Sequence, residues 1–167
     1  MMHESNLRNL RIINSSYDRI IEVLGKSDDD AIFLQLIKDL GEMPEVIDCP
    51  PDSSQYLFSK SGLALQFMGR SKCFVAAFFH FASAAVRTGQ VKPYTGNLAL
   101  DINFGDSHED VASKLGIEPV VSRTTTGEIH EEYALNSYEL HCKFDSAEKL
   151  QHLSVWFTPA CFWRRTE

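Results

Sequence analysis

The sequence repeats itself, and no other feature constrains the fold as tightly, because a repeated pattern of caps, turns and apolar positions implies a repeated structural unit. One copy runs from Leu24 to about Phe81 and the other from Phe104 to about Phe157. Each opens with Gly-x-Ser, as Gly25-Lys26-Ser27 and Gly105-Asp106-Ser107. An acidic, helix-patterned run follows and ends in Leu-Gly-x-x-Pro, as Leu40-Gly41-Glu42-Met43-Pro44 and Leu115-Gly116-Ile117-Glu118-Pro119, with Val46 and Val121 two residues beyond the prolines. Tyr56 and Tyr133 each stand 11 residues before a phenylalanine, Phe67 and Phe144, and five residues after each phenylalanine comes a lysine, Lys72 and Lys149. The helical insert of the first copy, Gly25 to Gly41, is five residues longer than its counterpart, Gly105 to Gly116.

Each part of the repeat has a physical reading. Ser27 and Ser107 are expected N-caps, accepting hydrogen bonds from the free N–H groups of a first helical turn. Asp28, Asp29 and Asp30, or Glu109 and Asp110, place negative charge at the positive end of the helix dipole. Ile32, Phe33, Leu36, Ile37 and Leu40 recur at helical spacing, as do Val111 and Leu115 in the shorter copy. Gly41 and Gly116 suit the left-handed position that stops a helix, and Pro44 and Pro119 prevent its resumption. In Tyr138-Glu139-Leu140-His141-Cys142-Lys143-Phe144 apolar and polar residues alternate, the pattern of a half-buried strand. Leu153, Val155 and Phe157 alternate likewise, with Asp145 to Lys149 as the hairpin connection. The expected fold class is therefore α+β: two similar repeats, each a short helix or helix pair packed on an antiparallel β-meander.

This organisation divides the chain into an N-terminal helical segment (residues 1–23), repeat 1 (24–85), a connecting loop (86–98), and repeat 2 with a C-terminal tail (99–167). Tyr17, Ile20, Ile21 and Leu24 form an amphipathic helix capped by Ser15 or Ser16. Gly89, Pro93 and Gly96 mark the connection as a loop leading into a strand from Ala99 to Phe104. The tail Phe162-Trp163-Arg164-Arg165 is short and aromatic.

The unit, a strand, Gly-x-Ser, a short helix, Leu-Gly-x-x-Pro and a meander, is similar to the repeat of the β-lactamase-inhibitor protein fold, and outer-membrane assembly lipoproteins use a similar unit. Across about residues 20–157 the chain resembles more closely the small immunity proteins of bacterial toxin–immunity pairs, of the polymorphic-toxin and type VI effector kind. The carrying residues are Val23-Leu24-Gly25-Lys26-Ser27, Tyr94-Thr95-Gly96-Asn97-Leu98 and the second Leu-Gly-x-x-Pro. Ala99 stands where that pattern has proline. The resemblance implies a non-enzymatic, cytoplasmic inhibitor that occludes a cognate toxin's active site. The family pattern carries no catalytic residue to transfer.

Charge agrees with a protein partner. The 167 residues hold 16 Lys+Arg against 23 Asp+Glu, a net charge of −7, which argues against nucleic acid and suits a toxin that is basic at its contact surface. Met1 to Leu24 carries six charged residues and does not read as a signal peptide. The most apolar stretch, Cys73 to Val86, has 14 residues, short of the roughly 20 a membrane helix needs. Cys49, Cys73, Cys142 and Cys161 are scattered and read as reduced thiols of a cytoplasmic protein.

No residue set calls for catalysis, a cofactor or a metal. His141 and Cys142 point to opposite faces of a strand, His108 lacks the i, i+4 partner of helical ligand pairs, and His130 precedes Glu131 and Glu132 in what reads as a solvated acidic loop. Gly25-Lys26-Ser27 lacks the upstream glycine of a phosphate-binding loop, position 20 being Ile20. The candidate partner-binding residues come from strand alternation. With Leu153, Val155 and Phe157 inward, His152, Ser154 and Trp156 face outward, joined by Glu139, His141 and Lys143 from the neighbouring strand. An exposed Trp amid polar residues has hot-spot composition. Trp156 has a second reading, packed beneath a long loop from Ser122 to His130. Glu128, Glu131 and Glu132 either solubilise that loop or face a basic toxin. The strand from Cys73 to Phe81 is apolar on both faces, and so is either core or the seam of a homodimer.

Overall fold

The computed structural model describes residues 16–82, 84–86 and 89–157. Residues 1–15 of the N-terminal segment, the cap candidate Ser15, Cys161 and the aromatic tail lie outside the described residues. Helix α1 (Ser16–Val23) is followed by α2 (Ala31–Leu40) and four strands, β1 (Glu45–Cys49), β2 (Ser53–Phe58), β3 (Leu63–Met68) and β4 (Cys73–His80). A small hairpin of β5 (Ala84–Val86) and β6 (Gly89–Val91) comes next. Helix α3 (His108–Leu115) then leads four more strands, β7 (Val120–Arg123), β8 (Ile129–Ala134), β9 (Tyr138–Phe144) and β10 (Leu150–Phe157). The fold is mixed α+β. Each group of four strands is an antiparallel meander, and β4 pairs with β10 to join them into one sheet ordered β1-β2-β3-β4-β10-β9-β8-β7.

The helices lie on one face of the sheet, over the core. Phe33 of α2 packs edge-on against Phe67, ring centroids 5.0 Å apart, and Phe67 stacks on Phe74 at 5.4 Å. Tyr17 of α1 and Tyr94 close on Phe79 at 5.7 and 4.9 Å. On the second half Val111, Tyr133, Leu140, Phe144, Leu153 and Val155 are fully buried. After β6 the backbone returns past the sheet end, where Tyr94 N–H donates to His80 O at 2.8 Å. A Cβ on Gly62 would stand 2.3 Å from Tyr94 N, and its φ of +68° is itself unfavourable for other residues, so only glycine fits this crossing.

The expected helix N-cap holds at α3 and shifts at α2. Ser107 caps α3 with a full capping box: its side chain accepts from Asp110 N–H, and the Asp110 carboxylate accepts from Ser107 N–H. Gly41 and Gly116 end their helices at φ values of +63° and +67°. Ser27, by contrast, is not a cap. Its hydroxyl donates to the Asp29 carboxylate, and α2 starts three residues later, capped by Asp30, which accepts from Ile32 N–H at 2.9 Å. Ile32 consequently turns outward, 40% exposed.

Three stretches differ from expectation. Residues 99–104 form no strand. Ala99–Asp101 is a single 3-10 turn with Leu100 and Asp101 at positive φ, because Leu98, Ala99 and Ile102 are all drawn into the core and that spacing does not alternate. The stretch 86–98 is not all loop, since its start belongs to the β5–β6 hairpin. The expected long loop from Ser122 to His130 is a short turn between β7 and β8, and His130, Glu131 and Glu132 belong to strand β8.

Candidate functional site on the open face of the sheet

The face away from the helices differs between its two ends. Over the first half, Val91 of β6 packs on Leu57 and Ala64 with Ile47 and Phe78 beside them, and closes that face. Over the second half the face stays concave, with a cavity of about 220 Å³ lined by residues of β4, β8, β9 and β10.

Strand register places its side chains in rows. Phe78 of β4, Ser154 of β10, His141 of β9 and Glu132 of β8 are successive cross-strand neighbours. His80, His152, Lys143 and His130 form the next row in the same order of strands. On the other side Trp156 faces Glu139. Trp156 is half-buried; its ring meets Phe78 edge-on at 5.5 Å and His141 at 5.7 Å, and its Nε1–H donates to Ser154 Oγ at 3.0 Å. Phe78 also meets His152 at 6.0 Å. His141 lies 3.2 Å from the Glu139 carboxylate and 4.0 Å from that of Glu132. Lys143 is paired with Glu128 at 2.9 Å.

Burial dominates two of the imidazoles. It holds His80 below the ordinary histidine value, and it does the same for His152, with His80, Lys143 and His130 adding repulsion. His80 Nε2 and His130 Nε2 are buried without a hydrogen-bond partner. Despite four histidines on one face, no group of three or more His, Cys, Asp or Glu among the described residues is arranged to hold a metal ion.

The residues expected from alternation, Trp156, His152, Ser154, Glu139, His141 and Lys143, do share this face, with Glu132 and, at its rim, Glu128. Ser154 is almost fully buried and holds the indole rather than presenting itself. Trp156 is not under the β7–β8 turn; its ring partners are Phe78 and His141. Glu131 does not belong to the face. Adjacent residues of a strand point oppositely, and Glu131 turns to the helix side, 2% exposed, where it accepts from the Tyr133 hydroxyl and stands 3.3 Å from His108 Nδ1. That carboxylate and burial together push the Tyr133 hydroxyl well above its usual range, burial being the larger cause, and the same causes act in the same order on the Cys142 thiol. The homodimer seam proposed for Cys73 to Phe81 meets a geometric obstacle: β4 is central, flanked by β3 and β10, so neither of its edges is open to a second copy. Phe78, His80 and His130 were not identified from sequence, because only the β4–β10 pairing and the sheet assignment of β8 bring them here.

The fold and face together define a helix-backed antiparallel sheet with one open, aromatic and histidine-rich concavity. No protein-family model matches the chain, and no curated protein matches it. Solved structures share the fold. The chain is similar to an extracellular protein containing an SCP domain from Bacillus anthracis, with a TM-score of 0.50 and 13% identity over 94% of this chain and 50% of that one. It is also similar to a cysteine-rich secretory protein from Staphylococcus aureus, with a TM-score of 0.52 and 10% identity over 82% of this chain and 45% of that one. The chain thus spans about half the length of these two structures. A DUF4309 family protein from Bacillus subtilis aligns at a TM-score of 0.46 and 14% identity, covering 87% of this chain and 95% of that one. Among the described residues no helix is long and apolar enough to cross a membrane.

Proposed function

We propose that the chain is an immunity protein that binds and neutralises a cognate bacterial toxin, covering the toxin's active site with the open face of its second half. The observation that carries this reading is Trp156, half-buried on that face and set among Phe78, His141 and the Glu139 and Glu132 carboxylates. An amphipathic aromatic anchor ringed by polar groups is where interface energy concentrates. The net charge of −7 favours a partner that is basic at the contact, since opposite potentials speed encounter. On this reading the protein acts in the cytoplasm, by occlusion, and carries out no reaction of its own.

We further infer that the two halves are copies of one unit. Supporting this, each half runs helix then four antiparallel strands, and the bridges Ser27–Cys73 and Ser107–Lys149 stand at corresponding places.

Co-expression with the toxin encoded beside its gene tests the function: growth is restored and the two proteins co-purify. Failure either to rescue or to bind that toxin sinks the reading. Within the complex, Trp156→Ala raises the dissociation rate and costs about 2 kcal/mol of affinity, while the free protein's thermal midpoint changes little. A large stability loss with unchanged affinity of the folded fraction would instead make Trp156 a packing residue.

A further inference from the structure

The open face also carries an arrangement of charge that partner docking alone does not require. His80, His152, Lys143 and His130 stand side by side across β4, β10, β9 and β8, each directly opposite the next. Neighbouring strands are about 4.8 Å apart, so protonated imidazoles here would abut one another and the Lys143 ammonium, and like charges directly opposite repel. His141 occupies the adjoining row. The opposing charges on this face are the carboxylates of Glu128, against Lys143, and of Glu132 and Glu139, on either side of His141. From β3 the same face receives Gln66 and Met68, which carry no charge. Among the described residues of this face, three carboxylates against one ammonium count to −2 with neutral imidazoles and to +2 with all four histidines protonated.

We propose that this face is a proton-gated grip for a basic protein segment, holding it through the carboxylates and Trp156 while the imidazoles are neutral and repelling it once they are protonated. The inference rests on the reading that this face docks a basic partner, and adds its regulation. Geometry discourages protonation of His80, whose Nε2 is buried with no partner to share an added proton. The burial of His80 and His152, with the crowding of His152 by the rest of its row, acts in the same direction. While the imidazoles are neutral the face is acidic, and once all four carry protons its charge is inverted and complementarity to a basic segment turns into repulsion.

The test uses the full chain with nona-arginine as the basic probe, measured by calorimetry and by imidazole NMR at about pH 7.5 and about pH 5. At the higher pH the peptide shifts the His141 and His152 resonances, and at the lower pH its Kd rises about tenfold or more. His80→Gln combined with His130→Gln brings the ratio of the two Kd values toward one. Should that variant fail to fold, the wild-type titration still decides, because the imidazole resonances must move over the same pH range as Kd. Equal or tighter binding at the lower pH overturns the gating and leaves the docking face standing. No binding at either pH overturns the basic partner on which the gating rests, while rescue by co-expression tests toxin neutralisation independently.

Discussion

The helix side of the sheet is aromatic in the first half and partly ionic in the second. Under α2, Phe33 sits within 5.0–6.3 Å of Phe67, Tyr56 and Phe74, a cluster of rings. Under α3, His108, Glu131 and Tyr133 occupy part of the corresponding space. The tyrosines show the contrast directly. Tyr56 donates to Asp28 at 2.7 Å, near the surface beside Lys72, and is pushed up to about 12 by burial and then by that carboxylate. Tyr133 donates to a carboxylate that has no such access to water. Helix α3 has 8 residues against 10 in α2, so it brings less apolar surface to its half of the sheet, and a charged, hydrogen-bonded group occupies part of that interior.

Mutations that empty one side or the other separate the two kinds of packing. Phe67→Ala opens a cavity inside the ring cluster and costs about 3–5 kcal/mol in denaturant unfolding. Glu131→Ala strips a buried carboxylate from His108 and Tyr133 and costs about 3 kcal/mol; in a double-mutant cycle with His108→Ala the two losses fall short of additivity. Additive losses would mean that the pair is not coupled. A charge reversal at Glu131 unfolds this half rather than tuning association, whereas Glu132→Lys, on the exposed face, lowers the association rate for a basic partner.

Smaller effects sharpen the comparison at the helix starts. Ser107→Ala removes a complete capping box and lowers stability by about 1 kcal/mol, while Ser27→Ala leaves the α2 cap, Asp30, in place and changes little. Far-UV circular dichroism with urea melts compares the two variants.

The mildest prediction is a pH dependence. His80 and His152 titrate below their unfolded value of about 6.5, so the unfolded chain binds more protons there. Their contribution to stability is complete above that value and is lost as pH falls through the folded values. The thermal midpoint should therefore decline across this window in the wild type, and less so in His152→Gln. An equal decline in both would remove His152 from the account.

Much of the local structure was legible in the chain because its causes are local. Ser107 with Asp110 three residues later is a cap by chemistry alone, Gly41 and Gly116 stop helices because few other residues tolerate their backbone angles, and the alternation through Tyr138–Phe144 sets which side chains can share a face. That alternation already grouped Trp156, His152, His141 and Lys143. What tertiary structure decided were matters of register between distant segments. The pairing of β4 with β10 brought Phe78 and His80 beside Trp156 and His152 and left the central strand without a free edge. The assignment of residues 129–134 to a strand rather than a loop sent Glu131 inward and Glu132 outward, since in a pleated strand neighbours cannot share a face. Patterns along the chain determine which faces exist; only the register between strands far apart in sequence determines what each face meets.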